Sequence, residues 1–161
     1  MIDEQIFSKL KDGPEQKLVD GPIVEFLVQK GWSLDQIVFG KHEWQIPKTP
    51  AEATKRQKGQ SFEYFPVDIA VFDDSSNIGN YRNLLFVIEC KQPDESAGLQ
   101  QLETYLGLEP HAKLGIWANN PDISAEALFV YKDTAGLQYP KKKSIKDLPS
   151  VGTKIDQNAK K

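Results

Sequence analysis

Two short apolar runs in the middle of the chain are each broken by a single acid. Phe65-Pro66-Val67-Asp68-Ile69-Ala70-Val71 is followed by Leu85-Phe86-Val87-Ile88-Glu89-Cys90-Lys91. Both runs have the length and the β-branched content of buried strands. A carboxylate inside such a strand is costly unless it is paired or binds a cation. Two of them, with a lysine two residues on, point to a metal-dependent phosphodiesterase.

Side chains alternate along a strand, so Glu89 and Lys91 share one face while Ile88 and Cys90 share the other. Asp73 to Asn83 is rich in Asp, Ser, Asn and Gly and reads as the connection between two antiparallel strands. A register that sets Asp68 opposite Glu89 also sets Phe72 opposite Leu85. Directly opposed residues have Cβ atoms about 4.5–5.5 Å apart. Carboxylates that close repel, and one tends to stay protonated. A divalent cation removes the conflict, and hard oxygen ligands suit Mg²⁺. The plainer reading keeps both acids at solvent-reaching strand ends, with Lys91 as a surface ion-pair partner.

The 161 residues suffice for one domain with its own core. No apolar run approaches the roughly 20 residues of a membrane helix. Met1 to Lys11 is mixed polar and lacks a signal-peptide pattern, so the expected compartment is cytoplasmic. The single cysteine excludes an internal disulfide and a cysteine-based zinc site. A formal net charge of −3 argues against gripping DNA by bulk electrostatics. Basic residues cluster at Lys55, Arg56 and Lys58, and again at Lys141 to Lys143 with Lys146; each cluster reads as a solvated loop rather than a phosphate clamp.

Gly13-Pro14-Glu15 opens a short helical pattern through Val19, which Asp20-Gly21-Pro22 interrupts. A second helix follows from about Pro22 to Lys30, with Ile23, Phe26 and Leu27 on its apolar face and Gly31 as its C-cap. Ile37 to Trp44 reads as a strand and Gln45 to Glu63 as a polar loop. After the two acid-bearing strands come a helix over Ser96 to Leu108 and strands at Lys113 to Ala118 and Ala127 to Lys132. The helix turns Leu99, Leu102, Tyr105 and Leu106 inward. From Pro140 onward lysines, prolines and glycines dominate. The expected domain is therefore 1–139, and 140–161 is read as a polar tail or a linker to a further module. The expected fold class is α/β, with a mixed central sheet of about five strands flanked by helices.

This order of elements resembles the PD-(D/E)xK nuclease superfamily. Pro66-Val67-Asp68 stands for its "PD" element with one residue inserted, and Glu89-Cys90-Lys91 for its (D/E)xK element. Gln101 and Tyr105 resemble a QxxxY element on the crossover helix. That element marks a subset which includes the nuclease domain of type I restriction-enzyme R subunits. Asp20…Gly31-Trp32, the run Leu108 to Asn120, and Asp147-Leu148-Pro149 resemble the version at the N-terminus of larger restriction-modification polypeptides. The resemblance spans roughly Gly13 to Pro149.

The resemblance implies a restriction-endonuclease-like core and a Mg²⁺- or Mn²⁺-dependent endonuclease that hydrolyses DNA. It implies Asp68, Glu89 and the Cys90 backbone carbonyl as metal ligands, with Glu15 as the helix-one acid and Asp20 as its runner-up. It implies Lys91 orienting the attacking water, Gln101 near Lys91 or the phosphate, and Tyr105 orienting Gln101 or the backbone. The implied partners are DNA and methylase, translocase or specificity modules; no ATPase or methylase motif lies in the chain itself. The alternative is a catalytically inactive nuclease-like module for DNA binding or assembly, and an RNA-processing nuclease is a third reading. His42 and His111 read as surface or loop histidines, and Trp32, Trp44 and Trp117 as core. Cys90 reads as a small apolar residue turned away from the acids.

Overall fold

The acid-bearing runs become neighbouring strands at the centre of a mixed, largely antiparallel sheet of seven strands in an α/β fold. A computed structural model describes residues 4–10, 19–91, 98–120, 122, 124–133, 136–152 and 155, without the side chain of His42. The helices are α1 (Glu4–Lys9), α2 (Gly21–Gln29), α3 (Pro50–Gln57) and α4 (Leu99–Leu108). The strands are β1 (Ile37–Pro47), β2 (Tyr64–Phe72), β3 (Leu84–Cys90), β4 (Leu114–Ala118), β5 (Glu126–Asp133), β6 (Gly136–Leu137) and β7 (Lys141–Ser144).

β1, β2 and β3 form an antiparallel meander. α4 then crosses over, and β4 lies parallel to β3. β5 returns antiparallel to β4, and both β6 and β7 pair with β5. The sheet buries both faces. On one, Ile23, Val24 and Leu27 of α2 pack on Ile69, Val71, Phe86 and Ile88. On the other, Leu102, Tyr105 and Leu106 of α4 pack on Ala70, Phe72 and Val87. Each such aliphatic side chain contributes about 1.5–3 kcal/mol when fully buried. α4 comes close to the sheet at Gly115, where an added Cβ would lie 3.1 Å from Leu102 Cδ1.

The structure corrects several expectations. Gln45 to Glu63 is not a plain loop. β1 runs on to Pro47, and α3 follows. Thr49 caps α3 by accepting from the Glu52 N–H, and Pro50 takes the first turn, where its missing N–H costs nothing. The β2–β3 ladder stops at Ile69–Ile88, one step short of the expected Asp68–Glu89 pair. A bulge after Val71 moves Phe72 onto Leu84 rather than Leu85.

The domain does not stop at residue 139. β7 extends the sheet, and Ile145 and Leu148 enter the core beside α2 at 1% and 2% exposure. The Trp32 indole N–H donates to the Pro149 carbonyl at 2.7 Å, and Lys30 Nζ donates to the carbonyls of Lys146 and Leu148. These strands raise the sheet from about five expected to seven. Among the described residues no helix is long and apolar enough to cross a membrane.

Candidate metal and catalytic site

The β2–β3 ladder ends at Ile69–Ile88, and at the next step a side chain takes over from the backbone. The Cys90 N–H donates to Asp68 Oδ2 at 2.7 Å. That bond holds the half-buried Asp68 carboxylate against the end of β3, next to Glu89, which is 5% exposed.

A third acid arrives from the other face of the sheet. Asp20, directly before α2, is fully buried, and its side chain makes no capping bond to that helix. It hydrogen-bonds with the Cys90 thiol. Ligand atoms of Asp20, Asp68 and Cys90 all lie within 4.8 Å of one another. Cys90 does turn away from Glu89, but it is not in purely apolar surroundings, as expected from sequence; Asp20 waits on that face. Burial first, and then the charges of Asp20, Asp68 and Glu89, push the thiol well above its ordinary range. Cys90 is therefore a protonated donor, and the anionic groups here are all carboxylate oxygens.

Lys91 continues from β3, and its N–H bonds the Ala118 carbonyl at 2.9 Å. Its half-exposed side chain runs over Gly98, the residue before α4. Gly98 has φ +110°, and an added Cβ would meet Lys91 Cε at 2.7 Å and Trp117 Nε1 at 3.2 Å. Only glycine gives this conformation and this space together. Trp117 in turn pairs with Glu89 across β3 and β4. Gly98 and Trp117 thus form the seat of Lys91. Sequence reasoning named neither as part of the site; the one available signal was a glycine just ahead of an amphipathic helix.

Tyr105 is 2% exposed and packs on Phe65 with ring centroids 5.2 Å apart. Burial first, then the charges of Glu89 and Asp68, push its phenol well above the usual value, so it stays protonated. Gln101 is exposed, one turn earlier on α4. Glu15 lies outside the described residues; Asp20 is brought to the cluster. His111 is exposed, and Trp32, Trp44 and Trp117 are core residues at 3%, 9% and 8% exposure.

A buried polar clasp ties the elements around the site together. Glu109, at the C-terminal end of α4, accepts two bonds from Arg56 of α3 at 2.8 and 3.0 Å. It accepts a third from the Trp44 indole N–H of β1 at 2.6 Å. Arg56 stacks on the Tyr81 ring, 3.9 Å from its centroid. Lys132 Nζ donates to the carbonyls of Leu106 and Glu109. Burial raises Glu109 above the usual glutamate value, and Arg56 pulls it back. Through this clasp α4, which carries Tyr105, is fastened to the strand pair that carries Asp68.

A surface hollow lies elsewhere. It measures about 560 Å³, is lined by Lys9, Asp35, Phe39 and Ser75 among others, and shares no residue with the acid cluster. It is an open groove without convergent titratable groups, so the chemistry favours the acids. Comparison of the chain with family models, curated proteins and solved structures returns no match.

Proposed function

We propose that this chain is a metal-dependent nuclease that hydrolyses DNA phosphodiester bonds on a restriction-endonuclease-like core. The observation that carries the reading is the meeting of Asp20 and Asp68 at Cys90, at the end of β3, between the buried Glu89 and Lys91. Two carboxylates with ligand atoms within 4.8 Å of each other, Asp20 and Asp68, repel, and a divalent cation offsets that repulsion. The donor set is hard oxygen, which fits Mg²⁺ or Mn²⁺. Asp68, Glu89 and the Cys90 carbonyl would hold the ion, with Asp20 as the third carboxylate.

When bound, such an ion lowers the pKa of a coordinated water and offsets charge on the phosphate. The remaining work belongs to the chain. Lys91, steadied by Gly98 and Trp117, places an ammonium beside the acids, where it orients the attacking water and stabilises developing negative charge. Tyr105 keeps its proton and supports the wall behind Glu89. Gln101, exposed on α4, offers an amide to an arriving phosphate. The Cys90 thiol holds Asp20 in place.

The resemblance to the nuclease domains of restriction-modification polypeptides supports DNA as substrate, and supports methylase, translocase or specificity modules as partners. The test is cleavage of supercoiled plasmid with Mg²⁺ or Mn²⁺, run alongside calorimetric Mn²⁺ titration, on wild type and Asp68→Ala. The expected result is Mn²⁺ binding and metal-dependent nicking, both lost in the variant. Metal binding without cleavage, in every partner context tried, would leave a nuclease-like assembly module. Absence of Mn²⁺ binding would overturn the site.

A further inference from the structure

At the end of α4 away from Lys91, about 15 Å along the helix axis, the clasp around Glu109 opens onto a hollow. It measures about 400 Å³ and is walled by Trp44 of β1, Arg56 of α3, Phe62 and Tyr81. That is the size of a small-molecule site, and aromatic surface with a few placed polar groups is the lining such sites use. The rings have different tasks. Tyr81 is held by two guanidiniums, Arg56 at 3.9 Å from its centroid and Arg82 at 4.6 Å. Trp44 is 9% exposed, and its indole N–H is committed to Glu109. Phe62, half-buried, is the ring that a flat guest can lie on.

Arg56 supplies the polar group. A guanidinium carries five N–H donors in a fixed fork. Its two terminal nitrogens donate to the Glu109 carboxylate, at 2.8 and 3.0 Å. Its Nε is buried and has no hydrogen-bond partner among the described residues, on a side chain 9% exposed. Buried donors in folded proteins are almost always satisfied, so an unpartnered one in the wall of a hollow marks where an acceptor belongs. The Arg56 charge is already matched by Glu109, and Glu43 also lines the hollow. The site therefore offers a directed N–H and apolar faces rather than a net positive field. A neutral acceptor suits it better than an anion.

We propose that this hollow binds a nucleobase: the flat ring lies on Phe62 against Trp44 and Tyr81, and a ring nitrogen or carbonyl accepts from Arg56 Nε. Nucleobases combine an aromatic face with acceptors along the edge. The base arrives either as a free nucleoside or nucleotide, or in a strand with that base unstacked. The inference goes beyond the nuclease reading and does not depend on the acids. It gives a chain of net charge −3 a contact with nucleic acid that owes little to phosphate attraction.

Two probes are titrated with EDTA present, so no cleavage occurs. The deoxynucleosides are followed singly by saturation-transfer NMR, and a fluorescent single strand of about 12 nucleotides by anisotropy. Phe62→Ala is expected to weaken binding roughly fivefold or more, the loss of one base–aromatic stack. Tyr139→Ala removes a ring that is 92% exposed and does not line the hollow, and is expected to leave binding unchanged. Indole, a flat ring with no edge acceptor, is expected to bind more weakly than the nucleosides. Phe62-dependent binding of the nucleosides alone makes the ligand a free nucleoside or nucleotide. Phe62-dependent binding of the strand makes it a base presented in a strand, and either result supports the site. No Phe62-dependent binding of either probe would overturn it, and the hollow would then hold only water against Arg56. So would equal losses in both variants, which is unspecific stacking on exposed rings, or indole binding as tightly as the nucleosides, which is an apolar slot. The assay contains no metal, so its failure leaves the cleavage and Mn²⁺ tests of the acids standing, and their failure leaves this one standing.

Discussion

At the scale of single residues, the site is a small number of groups made expensive by burial and affordable by each other. Asp68→Ala, Glu89→Ala and Lys91→Ala are each expected to abolish cleavage with the fold retained, since removing one of several crowded like charges relieves repulsion. Circular dichroism and plasmid nicking check this, and full cleavage by any variant removes that residue from the site. Mn²⁺ affinity should separate them: calorimetry is expected to show it lost in the two acid variants and kept in Lys91→Ala. Gly98→Ala should behave like a displaced lysine. The new methyl would sit 2.7 Å from Lys91 Cε, and φ +110° strains any L-residue by about 1–2 kcal/mol. The expected outcome is greatly reduced cleavage at unchanged Mn²⁺ affinity. In a Lys91→Met background, Gly98→Ala should cost only the backbone strain, which urea denaturation of the four proteins would resolve. A glycine substitution that leaves cleavage intact would mean the lysine finds its position without that seat.

At the scale of elements, the clasp between α3, β1 and α4 matters more than any helix by itself. Arg56 and Glu109 are both nearly dry, at 9% and 1% side-chain exposure, so breaking the pair strands a charge. Arg56→Ala and Glu109→Ala are each expected to cost about 3–5 kcal/mol in urea unfolding, while the double change Arg56→Met with Glu109→Leu should recover most of that loss. If each single variant cost less than about 1 kcal/mol, the pair would be exposed in solution and α3 would not be fastened. α3 also illustrates which signals were legible. Thr49-Pro50-Ala51-Glu52 is a cap residue, a first-turn proline and an acid at the third helical position, a helix-start pattern inside a stretch whose composition reads as loop. The apolar periodicities of α2, β2, β3 and α4 were stronger signals. In these, composition and apolar periodicity agreed.

At the scale of the whole molecule, the C-terminal segment closes the domain rather than trailing from it. A chain ended at residue 139 would lose β7, Ile145, Leu148 and the Trp32–Pro149 hydrogen bond. Burial of two aliphatic side chains alone is worth about 3–6 kcal/mol, a large share of a typical domain's net stability. The truncated chain is expected to be largely unfolded by circular dichroism; a cooperative transition matching the full chain would make the segment dispensable. The intact chain by itself is expected to be a poor nuclease on linear duplex, since its net negative charge weakens sequence-independent phosphate attraction. Fusion to a DNA-binding module should raise cleavage by raising effective concentration, toward the mM range for short linkers. Efficient, specific cutting by the unfused chain would show that the domain carries its own recognition.

Local patterning alone determined the two acid-bearing strands, their antiparallel pairing, and the crossover helix with its buried leucines. Each depends on a periodicity or a turn read over neighbouring residues, and the physics is correspondingly short-ranged. Only the tertiary structure decided that Asp20 meets Asp68 at Cys90, that Gly98 and Trp117 seat Lys91, and that Lys141 to Lys143 pair with β5. Those relations link residues up to 70 positions apart in sequence, Asp20 and Cys90 being the farthest. A lysine run on an edge strand and a lysine run in a loop have the same composition. What separates them is the partner strand, and no local window contains it.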